Sequence, residues 1–358
     1  MSSHWRTAVL PGAVSIVFLL LAGGGIFFTS SDAGISAIWL ANGWVLGFML
    51  AGEDRRWRHY LIATFIAHVV LVISAPLPEG QSLILALTNF GEIALSYFVA
   101  RRYVSSPEHL FRPEALKQFV AWIVVAVPLL GSLIAAAMFA LLDGEFVKTL
   151  QQRPVAHALG VIIMMPLVLA IRGNWNGWSI PLHMPAASWM PFVALLAASL
   201  LVFSQSRLPL LFLLFPPFLW VLFRHSYLGC AIAMLMISAI VMGSIALDTG
   251  PLMLIDQDGT SARVLILQLL LATLVITAYP LCMLLARKQD LLRSIALREQ
   301  HLRIVTENSQ DVIIHTDAEG RRTYVSPAIE DMLGYTVEQA LGGRGSSAIH
   351  KDDRAMFE

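Results

Sequence analysis

Ten long apolar segments constrain the fold of this chain more than any other feature. Most hold about 17 to 25 residues, the length that an α-helix needs to cross about 30 Å of hydrocarbon. The chain is 57% hydrophobic and 13% charged, with a mean hydropathy of +0.70, so a bilayer is its main solvent. The sequence therefore predicts an all-α polytopic membrane bundle of about eight to ten transmembrane helices. The predicted spans are residues 9–28, 35–51, 59–75, 82–100, 119–142, 155–171, 188–203, 208–223, 229–247 and 264–286.

Positive charges in the connecting segments predict the orientation, because cytoplasmic loops of membrane proteins are enriched in Lys and Arg. One set of alternate connections carries Arg55, Arg56, Arg58, Arg101, Arg102, Arg112, Lys117, Arg172 and Arg224. The opposite connections carry few such residues, with Lys148, Arg153 and Arg207 as exceptions. Both termini are therefore expected in the cytoplasm. The formal net charge of +0 gives no basic field for nucleic acid.

A charged segment without glycine or proline, residues 287–307, follows the last span. Its apolar residues fit a heptad pattern, which predicts a helical linker that transmits a signal. The residues on this seam are Leu284, Leu291, Ile295, Leu302 and Val305, with Lys288 and Arg298 at its polar positions. The seam favours a parallel homodimer. An amphipathic helix that packs on its own domain is the alternative.

The last part of the chain alternates strand and helix patterns. Residues 311–317 and 323–327 predict two strands around a turn, and residues 328–334 predict a short helix. The motifs there are Asp317-x-x-Gly320, Tyr324-x-Ser326-Pro327-Ala328, Leu333-Gly334-Tyr335, Glu338 and His350-x-Asp352-Asp353. They stand in the order found in PAS domains, so residues 302–358 resemble the first half of that α+β fold. The resemblance implies a longer receptor of which this chain is a truncated version, with His350 capping a loop rather than binding haem.

Three motifs in the spans resemble the MASE-type membrane-associated sensor domains of bacterial receptors. They are Ile38-Trp39-x-x-x-Gly43, Thr88-Asn89-x-x-Glu92, and Gly160 with Pro166. The resemblance implies a sensor domain over residues 9–286. Its usual outputs are GGDEF diguanylate cyclases, often joined to EAL phosphodiesterases, and less often histidine kinases. Residues 341–345 lack the acidic pair of a GGDEF signature, so no catalytic residue, metal site or cofactor is indicated here.

Polar side chains within the spans mark a candidate site, because an Asp at the bilayer centre costs about 2.5 to 3.5 kcal/mol on insertion scales. Asn89 and Glu92 lie one turn apart on one face of the fourth span. With His68, and with Trp39 as an aromatic wall, they predict a pocket for an unknown small ligand, a proton or a cation. A hydrogen-bond network that only fixes helix packing is the alternative, and it is favoured for His68 and His157.

Together these patterns predict a sensory input module that sends its signal through the linker and the PAS segment to an output domain controlling cyclic-di-GMP. Its expected partners are the bilayer, a second copy and an unknown small ligand. The alternatives are the input of a sensor histidine kinase, a regulatory subunit that pairs with a separate receptor, and a multispan transporter. A transporter is disfavoured because no internal repeat is evident and because it has no need of a helix leading into a PAS segment.

Overall fold

The computed structural model describes residues 2–29, 36–51, 57–74, 79–103, 113–142, 146–172, 188–254, 259–307, 311–343, 350 and 352–353. The predicted loop residues Arg55, Arg56 and Arg112 and the side chains of Arg172 and Leu302 lie outside the described residues. The chain divides into two compact units, Met1–Leu285 and Ala286–Glu358.

The first unit is a helical bundle, which confirms the predicted all-α membrane fold. Among the described residues, seven helices are long and apolar enough to cross a membrane, and the three shorter apolar helices are Leu40–Ala51, Met190–Phe203 and Leu210–His225. The helices are α1 (Ser2–Thr29), α2 (Leu40–Ala51), α3 (Trp57–Ser74), α4 (Glu79–Tyr103), α5 (Pro113–Gln118), α6 (Val127–Ala140), α7 (Phe146–Arg172), α8 (Met190–Phe203), α9 (Phe215–Ala246) and α10 (Gly259–Glu307). A π-helix, Phe119–Ala126, joins α5 to α6, and 3₁₀ helices at Leu210–Leu214 and Pro251–Leu254 precede α9 and α10.

The helix α3 shows how the bundle distributes its polarity. Ile62, Ile66 and Val70 are 57 to 59% exposed along one side of the helix. Thr64 and His68 are only 2% exposed on the other side. In water this arrangement would be reversed, since apolar side chains would be buried and polar ones exposed. An apolar outer face around a polar interior is what a lipid solvent favours.

Glycines bring α2 and α7 into backbone contact. A Cβ on Gly43 would lie 2.5 Å from the carbonyl oxygen of Gly160, and one on Gly47 would lie 2.6 Å from Cβ of Val168. A Cβ on Gly160 would overlap the carbonyl group of Trp39. Close approach through small residues is a common way for membrane helices to pack. It also lets the Trp39 N–H donate to the carbonyl of Ala156 at 3.0 Å, which ties the start of α2 to α7.

The helix α9 folds back on itself beside α8. Near its middle, Nε2 of His225 lies 2.6 Å from the carbonyl oxygen of Ser188, just before α8. Beyond its end, the Gly250 N–H donates to Oγ of Ser206 at 3.0 Å, just after α8. The chain thus passes the start of α8 at His225 and is back at the end of α8 at Gly250. A straight helix could not do this, so the two halves of α9, here called its arms, run in opposite directions. The reversal falls near Gly229, where a Cβ would overlap the Cβ of His225. The arms correspond to the eighth and ninth predicted spans.

The cysteines come together although they are distant in sequence. Cys230 on α9 and Cys282 on α10 are free, buried thiols that lie beside each other. Their burial agrees with the interpretation of both as apolar filler. The contact also places the second arm of α9 against α10.

In its described residues, the second unit contains the last part of α10, a two-stranded antiparallel sheet and two short helices. The elements are β1 (Ile314–Thr316), β2 (Arg322–Val325), α11 (Ala328–Leu333) and α12 (Val337–Ala340), in the strand, strand, helix order that was predicted. Oδ1 of Asp317 accepts from the backbone N–H groups of Glu319 and Arg321 and so shapes the turn between the strands. The predicted strands are longer than the observed ones, because pairing is limited to the residues next to this turn. The helix α12 was not predicted, although a capping box between Thr336 and Gln339 marks its start.

Candidate functional site

Glu92 on α4 lies at the centre of a buried network inside the first unit. Its Oε1 accepts from Nδ1 of His157 at 2.8 Å and from Nδ2 of Asn42 at 3.3 Å. Its Oε2 lies 3.4 Å from Nη1 of Arg153. The residue is only 4% exposed, so nearly all contacts of its carboxylate are made with protein. Partners on α2 and α7 thus converge on one carboxylate.

The position of Arg153 differs from the predicted one. The sequence placed it in a loop, but it lies in α7, is 1% exposed and faces the interior. Its Nη2 donates to Oδ1 of Asn89 at 3.0 Å and to Oγ1 of Thr88 at 3.2 Å, and its Nη1 donates to Oγ of Ser132 at 3.3 Å. The predicted span, residues 155–171, began only after the next residue, Pro154. The helix α7 begins at Phe146 and includes both residues.

Asn89 links Arg153 to His68. Because its Oδ1 accepts from Arg153, its Nδ2 is the group that faces Nε2 of His68, at 3.4 Å. Nε2 must then act as the acceptor, so a neutral His68 carries its proton on Nδ1. Binding a second proton at Nε2 would break this contact. The Asn89 amide thus connects Arg153 to His68.

Trp39 forms one wall of the network. Its Nε1 donates to Oδ1 of Asn42 at 2.8 Å. Its ring stacks on His157 at a centroid distance of 5.7 Å and an interplanar angle of 9°, and it also lies 5.7 Å from the ring of His68. Trp39 therefore contacts both histidines. We call the connected set the polar centre; its members are Trp39, Asn42, His68, Thr88, Asn89, Glu92, Ser132, Arg153 and His157.

A cavity of about 30 Å³ opens beside the polar centre. It is lined by Ile26, Ser36, Trp39, His68, Val72, Leu85, Asn89, Arg153 and His157. A water molecule needs roughly 10 to 15 Å³ of such space, so the cavity has room for about two waters or one small ion. A larger organic ligand would require the helices to separate. Among the described residues, no group of three His, Cys, Asp or Glu side chains is arranged to hold a metal ion.

The structure brings together all four residues that the sequence predicted for a pocket, Glu92, Asn89, His68 and Trp39. It adds Arg153, which sequence reasoning missed. A signal was available, since Arg153 and His157 are four residues apart and fall on one face of a helix. Asn42, Thr88 and Ser132 also join the site. Thr88 belongs to the sequence motif that contains Asn89 and Glu92, whereas only its tertiary neighbours place Ser132 there.

A comparison with protein-family models matches MASE1 over residues 10–289. The chain belongs to the MASE1 family. Residues 300–358 match the PAS fold, while no curated protein and no solved structure matches the chain. The whole polar centre lies within the MASE1 domain. A MASE1 domain followed by a PAS domain is a membrane sensory input module, as predicted, and neither matched domain is catalytic.

The helix α10 begins in the MASE1 domain and extends to Glu307, beyond the MASE1 match. Its predicted linker residues Leu291, Ile295 and Val305 are 51 to 59% exposed. Apolar side chains this exposed on a charged helix are costly in water, because their surface remains hydrated. The helix therefore has an apolar seam that is largely left exposed by the described part of the chain.

Proposed function

We propose that this chain is the input part of a bacterial inner-membrane receptor whose polar centre receives the signal. The helix α10 then transmits the signal, and the PAS segment passes it to an output domain that makes or degrades cyclic-di-GMP. The observation that carries the proposal is the Glu92–Arg153 ion pair, with side chains only 2% exposed, next to a small cavity.

The ion pair supports a sensory role because packing alone does not require it. Buried ion pairs are often no more stabilising than apolar residues of the same volume, whereas removing one partner is strongly destabilising. Ionisable groups inside membrane bundles accordingly mark ion pathways, proton relays and ligand sites. The pair is connected to two histidines, since His157 contacts Glu92 and His68 contacts Asn89, a partner of Arg153. A change at the pair would therefore alter the contacts of both histidines.

The size and chemistry of the cavity favour a proton or a small ion as the signal. His68, His157, Asn89 and Arg153 are among the polar side chains that line the cavity and could contact an ion bound there. Binding of a charge there would compete with the contacts of Glu92 and Arg153, because electrostatic interactions are strong in a low dielectric. The expected response is a shift of α4 and α7 relative to each other.

The exposed seam of α10 supports transmission through a parallel homodimer. The distribution of Lys and Arg among the connecting segments supports cytoplasmic termini. A second copy would cover Leu291 and Ile295 of the first, as knobs-into-holes packing requires. Rotation or sliding of α10 in the bundle would then change the register between two linkers. The domain order resembles that of diguanylate cyclase receptors, with histidine kinases as the less common output of such receptors.

A chimera tests the proposal. In one chimera, a GGDEF cyclase domain follows residue 307. In a second chimera, the same domain follows residue 300, one heptad earlier, so that the heptad phase is unchanged. The cyclic-di-GMP level is measured in cells that lack other cyclases. The chimeras compared carry the wild-type Glu92, Glu92→Gln, or the control Glu114→Gln at an exposed side chain. Glu92→Gln is expected to change the level about threefold or more at an equal membrane amount, and Glu114→Gln is not. Equal levels in all chimeras would contradict the proposal. A response only when a histidine kinase domain replaces the cyclase would favour that output.

A further inference from the structure

We propose that Gln268 is the positioning residue that connects the polar centre to the signalling helix α10, an inference that rests on the proposed function. Gln268 lies near the start of α10 and is 1% exposed. Its Nε2 donates to two backbone carbonyls, those of Ala37 at 3.1 Å and Gln152 at 3.0 Å. Both hydrogens of one amide are thus used to join α10 to two other segments.

The two carbonyls belong to the segments that carry the polar centre. Ala37 is two residues before Trp39, and Gln152 directly precedes Arg153. The Trp39 N–H donates to the carbonyl of Ala156, so the two segments are also bonded to each other. A shift of Arg153 or Trp39 therefore moves an acceptor of Gln268, and the amide can follow both carbonyls only if α10 moves as well.

A second hydrogen bond attaches α10 to α7 farther along the helix. The hydroxyl of Tyr279 donates to the carbonyl of Ile162. That carbonyl lacks its helical donor, because position 166, four residues on, is a proline without an N–H. Gln268 and Tyr279 are eleven residues apart, which places them on one face of α10 about 16 Å apart. With Tyr279 as a fixed point, displacement at Gln268 tilts α10.

Gln268 differs from the nearby polar residues Thr273 and Thr277 of α10. Thr273 and Thr277 donate only to carbonyls of their own helix, those of Leu269 and Thr273. Gln268 bonds to segments more than 100 residues away in sequence, and its Oε1 has no hydrogen-bond partner among the described residues. The side chain is held by its two donors alone. Because Oε1 accepts no hydrogen bond, the side chain could follow a movement of the two carbonyls without breaking a bond at Oε1.

Hydrogen exchange of the full chain in lipid nanodiscs tests the inference. Glu92→Gln is expected to change exchange of amides 287–306 about fivefold in the wild-type background. In the near-isosteric Gln268→Met background the same change should fall below about 1.5-fold, because coupling is lost. Gln268→Asn, which keeps the amide but cannot reach both carbonyls, should behave like Gln268→Met. Thr273→Val is the matched control and should leave the effect of Glu92→Gln intact.

The outcomes separate the two proposals. An undiminished effect of Glu92→Gln in both Gln268 variants overturns the role of Gln268 and leaves the proposed function standing. If Glu92→Gln changes nothing in the wild-type background, the polar centre does not signal to α10, and both proposals fall. Loss of the effect in Thr273→Val as well would show that any change in α10 abolishes it, which also overturns a specific role for Gln268.

Discussion

Arg153 and Glu92 form an ion pair inside a bundle of apolar helices, with Nη1 of the arginine 3.4 Å from Oε2 of the glutamate. The other partners of Arg153 are neutral oxygens of Thr88, Asn89 and Ser132. Glu92 is therefore the negative group that balances the Arg153 charge within the described network.

Removing either charge of this pair is expected to destabilise the bundle, and removing both is expected to restore much of the loss. Glu92→Gln or Arg153→Met alone should cost about 3 to 5 kcal/mol, because each leaves a buried charge unpaired. The double variant should be more stable than either single variant. Unfolding in mixed micelles measures this cycle, and Glu114→Gln should stay within about 0.5 kcal/mol of the wild type. Additive losses in the double variant would show that the charges do not interact.

Gly160→Ala is expected to separate α2 from α7. The new methyl group would overlap the carbonyl of Trp39, and overpacking of this kind costs about 1 to 3 kcal/mol. Gly91→Ala is the matched control, since nothing lies within 4 Å of a Cβ at that position of α4. It should stabilise the helix by roughly 0.5 to 1 kcal/mol. The free energy of unfolding of both variants tests this prediction. Equal changes in the two variants would contradict the close contact between Gly160 and Trp39.

Tyr279→Phe should destabilise the chain by about 1 kcal/mol, because it leaves the carbonyl of Ile162 without its donor. The loss should shrink in a Pro166→Ala background, since residue 166 would then supply a helical N–H to the same carbonyl. A double-mutant cycle measures the difference. An unchanged loss in both backgrounds would mean that Pro166 does not free the carbonyl for Tyr279.

Cysteines on the linker seam should crosslink two copies of the chain in membranes. Leu291→Cys, Ile295→Cys and Leu302→Cys lie on the predicted seam, and Arg293→Cys lies on the opposite side of the heptad. Cys230 and Cys282 are buried and remain in place, so the wild-type chain reports the background. Faster disulfide formation at the seam positions than at residue 293 is expected. Failure at all three seam positions would argue against a parallel dimer.

Features that depend on neighbouring residues in sequence were predictable. Runs of apolar residues of membrane length predicted the spans, since the bilayer imposes its thickness on each helix separately. Asn89 and Glu92 share a face because they are one turn apart. The strands around Asp317 follow from a local turn, although pairing made them shorter than predicted.

Features that depend on contacts between distant segments were not predictable. Arg153 was placed in a loop because its partner on α4 is distant in sequence, and the role of Gly160 depends on the carbonyl that packs against it.

The sequence alone thus determined that this chain is a helical membrane protein with a charged linker and a PAS-like segment, because hydropathy and periodicity act locally along the chain. Only the tertiary structure decided which polar groups meet. A buried charge or amide must find its partner across helices, and Glu92, Arg153 and Gln268 find theirs on segments that the bundle brings together.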